Sequence, residues 1–160
     1  MAVRPILILS ILCMGYVMTN KLAPRGLRNN NPLNIKQFNQ NWRGEVGDDG
    51  VFVIFKNMVY GYRAAARILR SYRSRGLTTI TEIIEAWAPS SENDTHAYIE
   101  YVVSYISVQS GLEVDPEKNL DIKNVPYLLA AMTVVENGAI DVSMDDILKG
   151  VNAERVDFYA

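Results

Sequence analysis

Pro126 to Gly138 reads PYLLAAMTVVENG, and the fold turns on it. A proline opens the stretch, an unbroken apolar face follows, and Asn137-Gly138 closes it, the Pro-first, Gly-last asymmetry of a helix. Leu128, Leu129, Met132, Val134 and Val135 leave almost no wettable side, so the spacing predicts a central, buried helix. Glu136 is the single carboxylate of the stretch, on the last turn, where the helix dipole presents its negative end. Burial and that field both favour a protonated carboxyl, the form a general acid needs. The plainer reading is that Glu136 marks where the helix surfaces.

Working back along the chain, helical periodicity covers three more stretches. Met58 to Arg75 places Val59, Tyr62, Ala66, Leu69 and Tyr72 on one face and Arg63, Arg67, Arg70 and Arg73 off it, the arginines reading as a solvated face. Thr79 with Glu82 has capping-box spacing for a second helix that runs to Pro89. Asn93 or Asp94 caps a third, ended by Gly111. His96 falls in its first turn and reads as a solvated residue. After the central helix, SMDDILKGV predicts a short helix from Ser143.

Asn34 to Phe55 carries short-strand and turn signals instead. NIKQF, WRGEV and GVFVIF are separated by Asn, Gly and Asp clusters, with Gly47-Asp48-Asp49-Gly50 as the hairpin tip. Trp42 reads either as core of this small sheet or as a platform for a sugar ring. Asp48 and Asp49 read as turn residues, with one as a possible second carboxylate across a cleft. Ahead of them, LRNNNPLNIK (residues 27–36) cannot be a helix interior, because asparagines compete for backbone bonds and the residue before proline avoids the helical region. Asparagine donors and acceptors suit sugar hydroxyl and acetamido groups; the same residues equally make a turn-rich loop that serves its own backbone.

Composition narrows the chemistry. At 160 residues with 49% hydrophobic content, the chain fits one domain with a real core. A formal net charge of −2 gives no basic field for nucleic acid. The single cysteine, Cys13, excludes an intrachain disulfide, and the single histidine disfavours a metal site, so no metal or organic cofactor is expected. Phosphate-cradling glycine loops are missing. Any catalysis then rests on carboxylates.

The amino-terminal run ILILSILCMGYVM (residues 6–18) has no charge. Taken generously from residue 5 to 20 it makes about 16 residues, or roughly 24 Å of helix, short for a bilayer core of about 30 Å. A signal peptide fits except for its cleavage region, Lys21-Leu22-Ala23-Pro24, and a core helix fits except for the absence of a polar face. The preferred reading is an N-terminal apolar helix serving as membrane anchor, residues 1–21, contacting the membrane through 5–20. Residues 22–28 then form a linker and 29–160 the domain.

The runs RGLRNNNPLNIK, WRGEVGDDGVFVIF, YGYRAAARILRSY and TITEIIEAWAPSSENDTHAYIEYV resemble a family of phage virion-associated proteins related to peptidoglycan hydrolases, over Arg25 to about Val151. The RNNNP opening and the WAPxxEN block carry the likeness. Leu33 departs from it, standing where the family pattern has glycine. NNPLNIK, a hairpin, VIF and a helix also occur in that order in bacterial glucosaminidases and lytic transglycosylases of lysozyme-like fold, whose catalytic glutamate ends a helix ahead of them. Here the glutamate-ended helix comes last. The resemblance therefore implies a mainly α (α+β), circularly permuted lysozyme-like domain with a small antiparallel β-hairpin region. It further implies cleavage of the β-1,4 bond between N-acetylmuramic acid and N-acetylglucosamine, with Glu136 as catalytic acid. Asn30, Asn31 and Asn34 would line the sugar cleft, with Trp42 or Tyr60 stacking on a ring. Glu92 is the second carboxylate to consider, as helix cap or cleft residue. The implied partners are peptidoglycan glycan strands, the membrane and other virion proteins, with no nucleic acid. A catalytically inactive, membrane-anchored virion structural protein on the same fold is the alternative.

Overall fold

A computed structural model describes residues 23–91, 93–138 and 141–154. The anchor expected at residues 1–21 lies outside them. Among the described residues, no helix is long and apolar enough to cross a membrane. The architecture is mainly helical with one small antiparallel sheet. In chain order the elements are α1 (Arg25–Arg28), β1 (Glu45–Asp48), β2 (Val53–Phe55), α2 (Met58–Ser74), α3 (Ile80–Trp87), α4 (Thr95–Ser110), a 3-10 turn (Ile122–Asn124), α5 (Val125–Asn137) and α6 (Met144–Ala153).

The helix boundaries are set by local chemistry. Asn57, Thr79, Asp94 and Ser143 each accept a backbone N–H from the first turn of the helix they open, and Thr79 with Glu82 completes a reciprocal capping box. Gly111 and Gly138 end α4 and α5 in the left-handed region. Helix α5 is the central element: Leu128, Leu129, Ala130, Ala131 and Met132 are fully buried. It packs on α4 and α6, while α2 lies along α6. Val135 corrects the expectation of an apolar helix on every side. It is 38% exposed, because α5 reaches the surface over its last turn.

Three further expectations change. The stretch 22–28 is not wholly a linker, since it contains α1 with Gly26 buried. A Cβ on Gly26 would stand 2.4 Å from Asn137 Oδ1, 2.6 Å from Asn34 Oδ1 and 2.8 Å from Asn31 O, so only glycine lets α1 sit this close to the end of α5. NIKQF forms an isolated bridge, Lys36 to Phe52, rather than a strand. The left-handed residues Asn34 (φ 49°) and Asn39 (φ 59°) bound the extended piece and prevent its extension. The arginines of α2 are not simply solvated. Arg63 and Arg70 lie 2.9 Å and 3.6 Å from the carboxylate of Glu154, whose side chain is 3% exposed, tying α2 to the end of α6.

The hairpin tip is residues 49–52, two residues beyond the expected start, because Asp48 already pairs with Val53. Asp49 organises it. Its carboxylate takes two bonds of 2.6 Å from Arg25 and one of 2.6 Å from Asn29, and it accepts the N–H groups of Val51 and Phe52. The Arg25 guanidinium, first among these donors, holds the Asp49 carboxyl well below the usual carboxylate range. Asp49 is therefore committed to structure and is not a second cleft carboxylate.

Candidate active site

The asparagine loop divides by depth. Asn31 is 0% exposed, and its amide donates to Ile35 O and Val53 O at 2.9 Å while its Oδ1 accepts Ile35 N–H at 2.9 Å. The two bonds to Ile35 close the loop on itself and the one to Val53 ties it to β2. Asn30 adopts φ 51° and donates to Phe55 O at 3.0 Å. These two side chains serve the backbone, which is the turn reading of the loop rather than the sugar-binding one. Leu33 is 1% exposed and lacks positive φ, so no glycine is required there. The left-handed positions fall on Asn30 and Asn34, residue types that tolerate them.

Asn34 differs. Its amide nitrogen reaches 102 residues along the chain to donate to Glu136 Oε2 at 3.0 Å and to Glu136 O at 3.2 Å. The juxtaposition expected from the sequence, the α5 carboxylate beside the asparagine loop, is therefore present. Asn137 strengthens it by donating to Pro32 O at 2.6 Å. Loop and helix end are joined as one unit.

Two further donors complete the surroundings of Glu136. Trp87, the last residue of α3, donates its indole N–H to Oε1 at 3.2 Å, and Tyr98 of α4 donates its hydroxyl to the same oxygen at 3.3 Å. Neither residue stands out as a site residue in the sequence, where both read as packing positions. A pairing signal exists all the same, since buried Trp and Tyr need a partner for their polar ends and Glu136 is the carboxylate of the central helix. Tyr98 is 6% exposed, and burial first, then the Glu136 charge, pushes its hydroxyl above the usual tyrosine range. It stays a phenol and a donor through neutral pH. All three groups around the carboxylate are neutral, and among the described residues no cation pairs with it.

Glu136 is half-buried and lines a surface hollow with Tyr98, Tyr101 and Val135. Its other two donors, Asn34 and Trp87, line a neighbouring hollow with Phe38, Trp42 and Tyr72. The carboxylate thus lines the first hollow and is bonded by residues that line the second. Trp42 packs on the core and also lines the second hollow. Tyr60 is a packing residue: its ring lies on Gly44, where a Cβ would come within 2.2 Å. Glu92 falls outside the described residues. His96 is exposed, 3.7 Å from Glu100, and stands as a surface residue. Among the described residues no group of three or more His, Cys, Asp or Glu side chains is placed to hold a metal ion.

Chemically, the arrangement can move a proton. A half-buried carboxyl fixed at both oxygens, open to a hollow and free of a counter-cation, suits a general acid or base. Asn34 and Trp87 can only donate to it, whereas the Tyr98 hydroxyl at 3.3 Å can donate or accept and so accommodates either proton state.

No protein-family model matches the sequence. Over 134 residues it is 42% identical to Protein P5 of Pseudoalteromonas phage PM2, with 80% of each chain covered.

Proposed function

The chain belongs to the family of Protein P5 of Pseudoalteromonas phage PM2, and on that premise we propose that it is a phage-type enzyme that cleaves peptidoglycan glycan strands. The single observation carrying this reading is the Glu136 carboxylate, held by Asn34, Trp87 and Tyr98 and facing a hollow. Glu136 gives its proton to the glycosidic oxygen between N-acetylmuramic acid and N-acetylglucosamine as the bond to C1 breaks. The carboxylate then takes the proton of the muramoyl 6-hydroxyl while that oxygen bonds to C1. The product is a 1,6-anhydro sugar, and Glu136 is protonated again. This lytic transglycosylase course needs one carboxylate; Asp94, which also lines the hollow, accepts the Ala97 N–H as the cap of α4. A lysozyme-like, permuted topology accounts for a catalytic helix that follows the hairpin in the chain. The enzyme acts at the bacterial cell wall, for genome entry or lysis, as a virion- or membrane-associated protein carried by residues 5–20.

A second reading has its own support. Every donor around Glu136 is already supplied by the protein, which also describes a polar staple joining three elements in an inactive virion structural protein. Full-length protein incubated with peptidoglycan sacculi, with muropeptides analysed by mass spectrometry, separates the two. Anhydromuropeptides from the wild type, absent with a folded Glu136→Gln variant, are the expected result. Reducing-end products would instead mean a hydrolase. No release from folded wild-type protein, with a lowered unfolding midpoint in Glu136→Gln, would leave the structural reading standing.

A further inference from the structure

The hollow beside Trp87 continues past it. Gln40, Trp42, Ile68 and Tyr72 line it, and the same four line a second hollow that extends along α2. Arg67, Ser71 and Arg75 form that far end. They are spaced four residues apart, so they share a face and spread over about 12 Å of helix. Arg75 is fixed by stacking over Tyr72, 4.9 Å from the ring centroid. Arg67 is exposed and, among the described residues, has no carboxylate partner, unlike Arg63 and Arg70. Lys36, in the near hollow, is the third cation along the two. No Asp or Glu is among the described residues lining either one. On a chain of formal charge −2, this is a local reversal of sign.

We propose that this continuous groove binds the acidic part of a glycan strand. Sugar rings lie against Trp42, Tyr72 and Trp87, and carboxylates of the strand pair with Arg67 and Arg75. The inference rests on the glycan-cleaving reading of Glu136 and extends that site along α2. The carboxylates are those of the lactyl ether on denuded strands or those of the stem peptide. Aromatic and basic grooves also take single-stranded nucleic acid. Behind the near end, Asn34 and Trp87 of the lining donate to the Glu136 carboxylate, whose charge opposes an unbroken row of phosphates and suits a strand whose charges are separated by neutral sugars.

Binding is measured on the full-length Glu136→Gln protein, which cannot consume the ligand, with and without Arg67→Gln and Arg75→Gln together. The probes are denuded glycan strands, stem-bearing strands, neutral N-acetylglucosamine oligomers and a single-stranded oligonucleotide. The arginine substitutions should weaken at least one acidic strand by about tenfold and flatten its salt dependence. The neutral oligomer should be unaffected. Whichever acidic strand responds identifies the source of the carboxylates. Equal binding of acidic strands with and without the arginines overturns the groove assignment, as does tighter, arginine-dependent binding of the oligonucleotide. The outcomes separate cleanly from the enzymatic reading. Sacculus cleavage by wild type with arginine-independent binding removes only the groove, and arginine-dependent strand binding without cleavage removes only the catalysis.

Discussion

Two asparagines three residues apart have opposite duties. Asn31 satisfies two carbonyls and one N–H in a fully buried position. Asn31→Ala removes all three bonds, leaving Ile35 O its bond from the Val53 N–H at 3.0 Å, and should cost about 2 kcal/mol or more in urea unfolding, since each orphaned buried group costs about 1–3 kcal/mol. Asn34 points its amide at Glu136 from a left-handed backbone. Asn34→Gly keeps that backbone accessible and removes the donor, so on the proposed role of Glu136 cleavage of sacculi should fall by about tenfold or more, the usual cost of misplacing a catalytic group. Its urea midpoint should move far less than that of Asn31→Ala. Equal destabilisation by both substitutions, with activity unchanged in Asn34→Gly, would remove Asn34 from the site. The sequence marks both residues as special without saying which faces the site, because depth below the surface is not a property of the local sequence.

Between elements, the site depends on close approach. Gly26 in α1 admits Asn34 and Asn137, and a methyl group there meets three atoms closer than 3.0 Å. Gly26→Ala should therefore cost about 1–3 kcal/mol, as overpacking does, and also loosen the loop that carries Asn34. A thermal melt beside the sacculus assay reads both effects, and an unchanged assay would show that α1 does not position the loop. The hairpin carries a pH dependence. Asp49 has a folded pKa depressed by Arg25, below the unfolded value of about 3.9. Its contribution to stability is thus fully present above pH about 4 and is lost as pH falls through the folded pKa. Asp49→Asn should flatten the acid limb of the stability curve and leave the neutral-to-alkaline limb with the wild-type slope. Acid limbs of equal steepness in the two proteins would place the acid sensitivity elsewhere.

Over the whole molecule, the last helix is held by charge. The Glu154 side chain is 3% exposed and its nearer partner Arg63 14%, so removing Arg63 leaves a buried charge with only the more distant, exposed Arg70 at 3.6 Å. Arg63→Ala should lower stability by about 3–5 kcal/mol, and hydrogen exchange should show α6 releasing from α2. A loss below about 1 kcal/mol, the range of exposed pairs, would mean the pair is effectively solvated. Neither side chain announces this pairing in the sequence. Arg63 sits among arginines spaced like a wet face, and Glu154 lies beyond the periodic part of the final helix. What the sequence by itself determined is local: that helices start at Met58, at Thr79, at Asn93 or Asp94 and at Ser143, where Gly111 and Gly138 stop them, that Pro126–Gly138 is central, and that Glu136 is its one carboxylate. Capping, glycine geometry and apolar periodicity act within a few residues, so they can be read in a line. Only the tertiary structure decided that Trp87 and Tyr98 hold Glu136, that Asn31 turns inward while Asn34 turns to the site, and that Arg63 and Arg67 on one helix have different fates. Those outcomes depend on which surfaces meet across separations of 38 to 102 residues, and burial, which is set by the packed whole, assigns each polar group its partner.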